Sequence, residues 1–212
     1  MTNIPTLTRN LPEAKIASYD FIELTSGTGY IRFYPTILED KRVLTTNVCY
    51  SKDIVEKSVN MDTSVNTKQL DHNYDTNINM PMIIEGLGVV NIGIAQQSGT
   101  GGPYVTRGTI IAKLRKYSGS TETDIATNES EQYVNSAEST KYDMTAIDLT
   151  IPKTHFKIGD ILRLTIELWG FGNTGASYVS YAADPKGRTT DWDTTGAVPS
   201  TATIDIPFKV EL

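Results

Sequence analysis

This sequence predicts an all-β protein, an antiparallel β-sandwich of jelly-roll type, on three observations. Leu162, Leu164, Ile166 and Leu168 alternate with Arg163, Thr165 and Glu167, the two-residue period of a half-buried strand. The last residues do the same: Ile204, Ile206, Phe208, Val210 and Leu212 alternate with Asp205, Pro207, Lys209 and Glu211. The rest of the chain reads as further short strands, about eight to ten in all, joined by turns rich in Gly, Thr, Ser and Asn. It shows no strand–helix alternation and no internal repeat of roughly 20–50 residues.

The 212 residues suffice for one sizeable core, and a sandwich of this length is ordinarily one domain. The expected division is an extended N-terminal arm over 1–15 and a single β-sandwich over 16–212. The arm carries Pro5 and Pro12, few large apolar side chains and no periodicity. It is either a loose terminus or a segment that docks on a neighbouring subunit. Hydrophobic residues at 39% and charged residues at 21% are proportions that fold. A net charge of −6 argues against the clustered cations that a nucleic-acid surface needs, so no direct nucleic-acid contact is expected. The single cysteine, Cys49, excludes an internal disulfide and fits a reducing compartment. No apolar leader opens the sequence and no run reaches the roughly 18 apolar residues of a membrane span, so no membrane partner is expected either.

In order, Tyr19–Leu24 and Tyr30–Tyr34 flank a glycine loop and predict a hairpin, with Gly27 and Gly29 as turn residues. Val43–Tyr50 predicts a strand on which Cys49 is a small buried hydrophobe. Ile54, Val55 and Val59 fit a short helix or an irregular strand, and the polar stretch after Met61 reads as loop. Asn77–Ile84 and Leu87–Ala95 are expected to pair across Glu85-Gly86, with Pro81 at an edge or bulge. Gln96–Pro103 reads as a flexible loop. Tyr104–Tyr117 predicts a long strand with Ile110, Ala112 and Leu114 on one face and Lys113, Arg115 and Lys116 protecting a sheet edge. Ser118–Lys141 reads as a polar surface insertion; Asn128 and Glu131 leave a short helix through Val134 as an alternative. Ile147, Leu149 and Ile151 alternate up to Pro152, and Gly159-Asp160 turns the chain into the Leu162–Leu168 strand. A loop then follows Trp169, residues 177–183 form a strand, and a long loop from Asp184 carries Asp191, Trp192 and Asp193 before the final strand.

No catalytic constellation is legible. The only histidines are His72, in the polar stretch, and His155, in the turn before Phe156, and no nucleophile-elbow, zincin or Cys-pair motif is present. Asp71, His72 and Asp75 have ligand chemistry but no third cluster to complete a metal site. The acids that could serve a glycosidase, Glu23, Asp148, Glu167 and Asp205, sit at outward positions between core residues. The expectation is therefore a protein that is not an enzyme, with no catalytic, cofactor-binding or metal residues and no cofactor.

The stretches IPKTHFKIGDILRLTIELW (151–169), DPKGRTTDW (184–192) and IPFKVEL (206–212) resemble virion structural proteins of tailed bacteriophages, particularly capsid-associated ones. KIASYDFIELTSGTGYIRFY (15–34) is similar too. The resemblance implies a jelly-roll component of a particle shell, as decoration, cement or head-fibre base. It implies as partners other capsid proteins and copies of the chain itself, as a trimer or pentamer, in a virion assembled in the host cytoplasm. A main lattice former of that type would show a long helix, so an accessory role is expected. The alternative is a carbohydrate-binding or receptor-binding module, with a glycan as partner and Trp192 as its aromatic platform.

Overall fold

The computed structural model describes residues 17–18, 28–49, 55–58, 61–99, 105–188, 192 and 198–210. Among them are twelve strands and no helix. They are β1 (Ala17–Ser18), β2 (Thr28–Leu38), β3 (Lys41–Thr45), β4 (Val55–Lys57), β5 (Met61–Asn77) and β6 (Met82–Gln97). There follow β7 (Thr106–Ser118), β8 (Thr121–Glu129), β9 (Tyr133–Asn135), β10 (Thr140–Phe156), β11 (Ile161–Ala182) and β12 (Thr203–Val210). The arm over 1–15 and the strand expected over Tyr19–Leu24 lie outside the described residues.

The strands build the two layers of a β-sandwich. In the first sheet β1, β2, β12, β6 and β10 lie side by side, and the C-terminal part of β11, flanked by β4, pairs with the end of β6. The second sheet runs from the end of β2 through β3, β5, β11 and β7 to β8 and β9. Among the described residues every pairing is antiparallel except one parallel bridge, Val43 with Asp75. Of the described strands, β1 and β2 are the only ones paired in the first sheet that follow one another in the chain, which is the crossing connectivity of a jelly roll.

Two strands serve both layers. β2 pairs with β12 over Thr28–Phe33 and with β3 over Tyr34–Leu38. β11 pairs with β5 and β7 over Ile161–Gly172, then with β4 and β6 near Tyr178–Ala182. A strand that changes sheets must bend, and glycine lets neighbouring chains close in at the bend. A Cβ on Gly170 would stand 2.8 Å from Val179 Cγ2 and 2.9 Å from Met61 Sδ. The stretch after Trp169, expected as a loop, is therefore bent strand.

The core matches the alternation. Leu162, Leu164, Ile166 and Leu168 are fully buried and share one cluster with Ile204, Ile206 and Phe208. Fully burying each such side chain contributes about 1.5–3 kcal/mol. Val210's side chain lies outside the described residues.

Several elements differ from their sequence expectation. The polar stretch from Met61 is the long strand β5, because its inward positions include Leu70, His72 and Tyr74, only one of which is aliphatic. The expected hairpin across Glu85-Gly86 is one strand, β6, with a bulge there: Gly86 takes φ +123°, and the β10 register shifts between Ile151 and Thr154 opposite it. That same shift carries β10 past Pro152 to Phe156. The expected insertion is β8 and β9, and β8 is turned back on β7 by Gly119 at φ +62°. β7 is accordingly flanked on both sides, and its cations are ion-paired rather than guarding an edge. Cys49 is half-buried beyond the end of β3, with Thr45 Oγ1 3.7 Å from its sulfur.

Candidate functional site

Alternation on β2 sends Ile31 and Phe33 into the core and leaves Tyr30, Arg32 and Tyr34 on the outward side. Across the ladder Arg32 stands opposite Asp205 of β12, and Asp205 opposite Val89 of β6. The loop after β3 adds Thr46, Asn47 and Val48 where β2 turns from one sheet into the other. These residues line an open groove of about 590 Å³.

Its centre is a two-pronged ion pair, with Arg32 Nε 2.7 Å from Asp205 Oδ1 and Nη2 2.8 Å from Oδ2. The Asp205 hydrogen bonds raise the Arg32 pKa, so the guanidinium keeps its charge. Tyr30 on β2 is 48% exposed and Val48 in the loop 54% exposed, so both present apolar surface to solvent. The groove thus offers aromatic carbon, a fixed guanidinium and the Asn47 amide together, which is recognition chemistry. The alternating pattern of β2 held the signal, but without the β12 partner nothing marked it as a site.

The other residues singled out from the sequence are not brought together. Alternation turns His72 to the opposite side of β5 from Asp71 and Asp75, and four residues of extended strand hold these two acids apart along the same side. Asp71 pairs with Lys68 at 2.6 Å and Asp75 with Arg163 at 2.7 Å. His72 turns inward, with Nδ1 2.8 Å from the Tyr181 hydroxyl, which lies 2.9 Å from the Tyr74 hydroxyl. Glu56, held by Arg42 at 2.8 Å and 3.1 Å, stands 3.6 Å from the same imidazole nitrogen. Burial lowers the His72 pKa and outweighs Glu56, so the ring is neutral near pH 7. Burial likewise raises the Tyr74 and Tyr181 phenols. This network joins β3, β4, β5 and β11 inside the fold.

Trp192 is 3% exposed, packed on Ala95 and Ala182 and set edge-on to Tyr142 at 5.3 Å between ring centres. It cannot act as an exposed aromatic platform. Glu167, placed at an outward, solvated position by its spacing, is only 4% exposed. It binds Lys113 Nζ at 2.6 Å, Lys68 Nζ at 3.3 Å and the Trp169 indole N–H at 3.0 Å.

No family model matches the chain, and no curated protein matches it. Solved structures do. An aminopeptidase from the marine sediment archaeon Thaumarchaeota archaeon is similar with a TM-score of 0.55 and 8% identity, over 85% of this chain and 37% of that one. A CocE/NonD family hydrolase from Staphylococcus aureus gives 0.51 and 12% identity, over 87% and 37%. The infectious bursal disease virus Gx strain structure gives 0.26 and 10% identity, over 82% and 41%, which is too distant to bear on the fold. The chain spans little more than a third of the hydrolases it resembles. These likenesses establish the fold, and they overturn the expectation that the chain is not an enzyme: β-sandwiches of this form occur within hydrolases, so missing motifs do not exclude catalysis.

Proposed function

We propose that this chain is an accessory component of a virus particle and meets its neighbours in the shell through the Tyr30–Arg32–Tyr34 groove. The observation that carries the reading is the groove itself. Tyr and Arg are the residue types that most often dominate binding energy at protein interfaces, and here three of them stand in one outward row. The resemblance of the β10–β11 unit, the loop after β11 and β12 to capsid-associated phage proteins supports the particle setting. Binding of purified protein to undecorated capsids tests it. Tyr30→Ala and Arg32→Ala should each weaken that binding at least tenfold, with unchanged melting temperatures. Unchanged binding refutes the groove, and failure of the unaltered protein to bind capsids refutes the particle setting.

A second reading draws on the structural comparisons: a β-sandwich unit that works with a hydrolase, since an aminopeptidase and a CocE/NonD family hydrolase share the fold and the chain spans 37% of each. Turnover of aminoacyl p-nitroanilides or p-nitrophenyl esters by the purified chain, alone or with a hydrolase partner, would support it.

A further inference from the structure

The outward side of the second sheet carries a separate cleft. On β11 and β7 the outward residues meet across the ladder as Glu167 with Ile111, Trp169 with Thr109, and Phe171 with Arg107. Beside Trp169 opens a cleft of about 400 Å³, lined by Asn66, Thr109, Ile111, Glu129 and Gln132 among others. Trp169 is half-buried, and its indole N–H is already committed to Glu167 Oε2 at 3.0 Å. The ring therefore cannot turn freely, and what it presents is carbon surface. Glu167 is itself fixed through its other oxygen by Lys113 and Lys68.

A rigid aromatic plane ringed by two amides, a hydroxyl and a carboxylate complements a molecule with an apolar face and a rim of hydroxyls. A pyranose ring is such a molecule: its axial C–H groups stack on the indole while its hydroxyls reach donors and acceptors at the edge. Glu129 is exposed at the rim and disfavours an anionic ligand. Of the neighbouring cations, Lys113 is paired with Glu167, and Lys68 with Asp71 as well as Glu167. We propose that the Trp169 cleft binds neutral hexopyranose saccharides, a site independent of the Tyr30 groove.

The chain has two tryptophans, and Trp192 is buried, so a Trp192→Phe variant leaves Trp169 as the sole tryptophan, read by excitation selective for indole over tyrosine. Titration with cellohexaose, maltohexaose and chitohexaose should give a saturable emission change with at least one of them. Calorimetry on the unaltered protein supplies the same reading should Trp192→Phe fold poorly. Gln132→Ala, at an exposed position, should raise the Kd at least fivefold, and Trp169→Ala should abolish binding. Tyr30→Ala should leave it unchanged, which separates this site from the shell contact. Silence with all three sugars in both measurements, or binding that survives Trp169→Ala, overturns the proposal. Equal or tighter binding of hexagalacturonate overturns its restriction to neutral sugars.

Discussion

Replacing Glu167 with alanine should destabilise the protein by about 2–4 kcal/mol, although its spacing marks it as a solvated surface acid. Removing one member of a buried ion pair typically costs about 3–5 kcal/mol, because the partner is left charged and unpaired. Here Lys113 and Lys68 keep 21% and 40% of their side-chain surface exposed and can turn toward water, which lowers that figure. The Trp169 N–H loses its acceptor as well, adding about 1–3 kcal/mol if it stays buried. Glu167→Gln retains an acceptor for the indole and loses only the charge, so about 1–2 kcal/mol is expected for it. Burial pushes the Glu167 carboxyl up, but Lys113, Trp169 and Lys68 together bring it below the ordinary carboxylate range. A depressed folded-state pKa gives stability that is present above the unfolded value and lost as pH falls through the folded one. The gap between the protein and Glu167→Gln should therefore narrow on acidification. Urea unfolding followed by circular dichroism at pH 7 and near pH 3 measures all of this, provided the m-value holds constant. If Glu167→Ala falls within about 0.5 kcal/mol of the parent, the usual scatter of surface substitutions, the buried-pair account is wrong.

Three further outcomes follow from the fold. Leu164→Ala should cost about 2–5 kcal/mol in the same urea assay, since the side chain is fully buried in the main cluster. Asp160, 4% exposed, is pushed up by burial but held at about 2 by the Lys157 N–H, the Ser118 hydroxyl and Lys116. Its contribution is complete above the ordinary carboxylate range and lost as pH falls toward about 2, and Asp160→Asn should flatten that part of the acid-unfolding curve. Gly86→Val should cost about 1–3 kcal/mol in thermal unfolding, because φ +123° is closed to a branched side chain.

The fold class and its central strands were legible because their core faces are made of aliphatic residues. Leu162 to Leu168 and Ile204 to Phe208 write a two-residue period that nothing else imitates. β5 was not legible, because its inward row includes His72 and Tyr74, whose polar atoms are satisfied by Tyr181 on a strand more than a hundred residues away. A buried polar group reads as a surface group until its partner is known. Gly86 misled for a different reason: a glycine with positive φ serves a turn and a bulge equally well, and only the register of β10 and β12 distinguishes them. Gly170 and Gly172 likewise read as loop residues while marking the place where β11 changes sheets.

The two candidate sites share one cause of invisibility. Alternation tells which side of a strand faces the core, and it labels everything else as solvent. Yet an outward residue on a central strand has neighbours from two flanking strands, and these can bury it or build a cleft beside it. Glu167 is enclosed by Lys113 of β7 and Lys68 of β5, and this enclosure holds Trp169 still. Arg32 is oriented by Asp205 of β12, and the fixed guanidinium divides Tyr30 from Tyr34 along the groove. In one place the charge cluster holds an aromatic ring through its N–H, and in the other the ion pair holds a cation between two tyrosines. Disrupting either pair should therefore impair recognition at its own cleft and leave the other intact, as two opposed outer faces of one sandwich require.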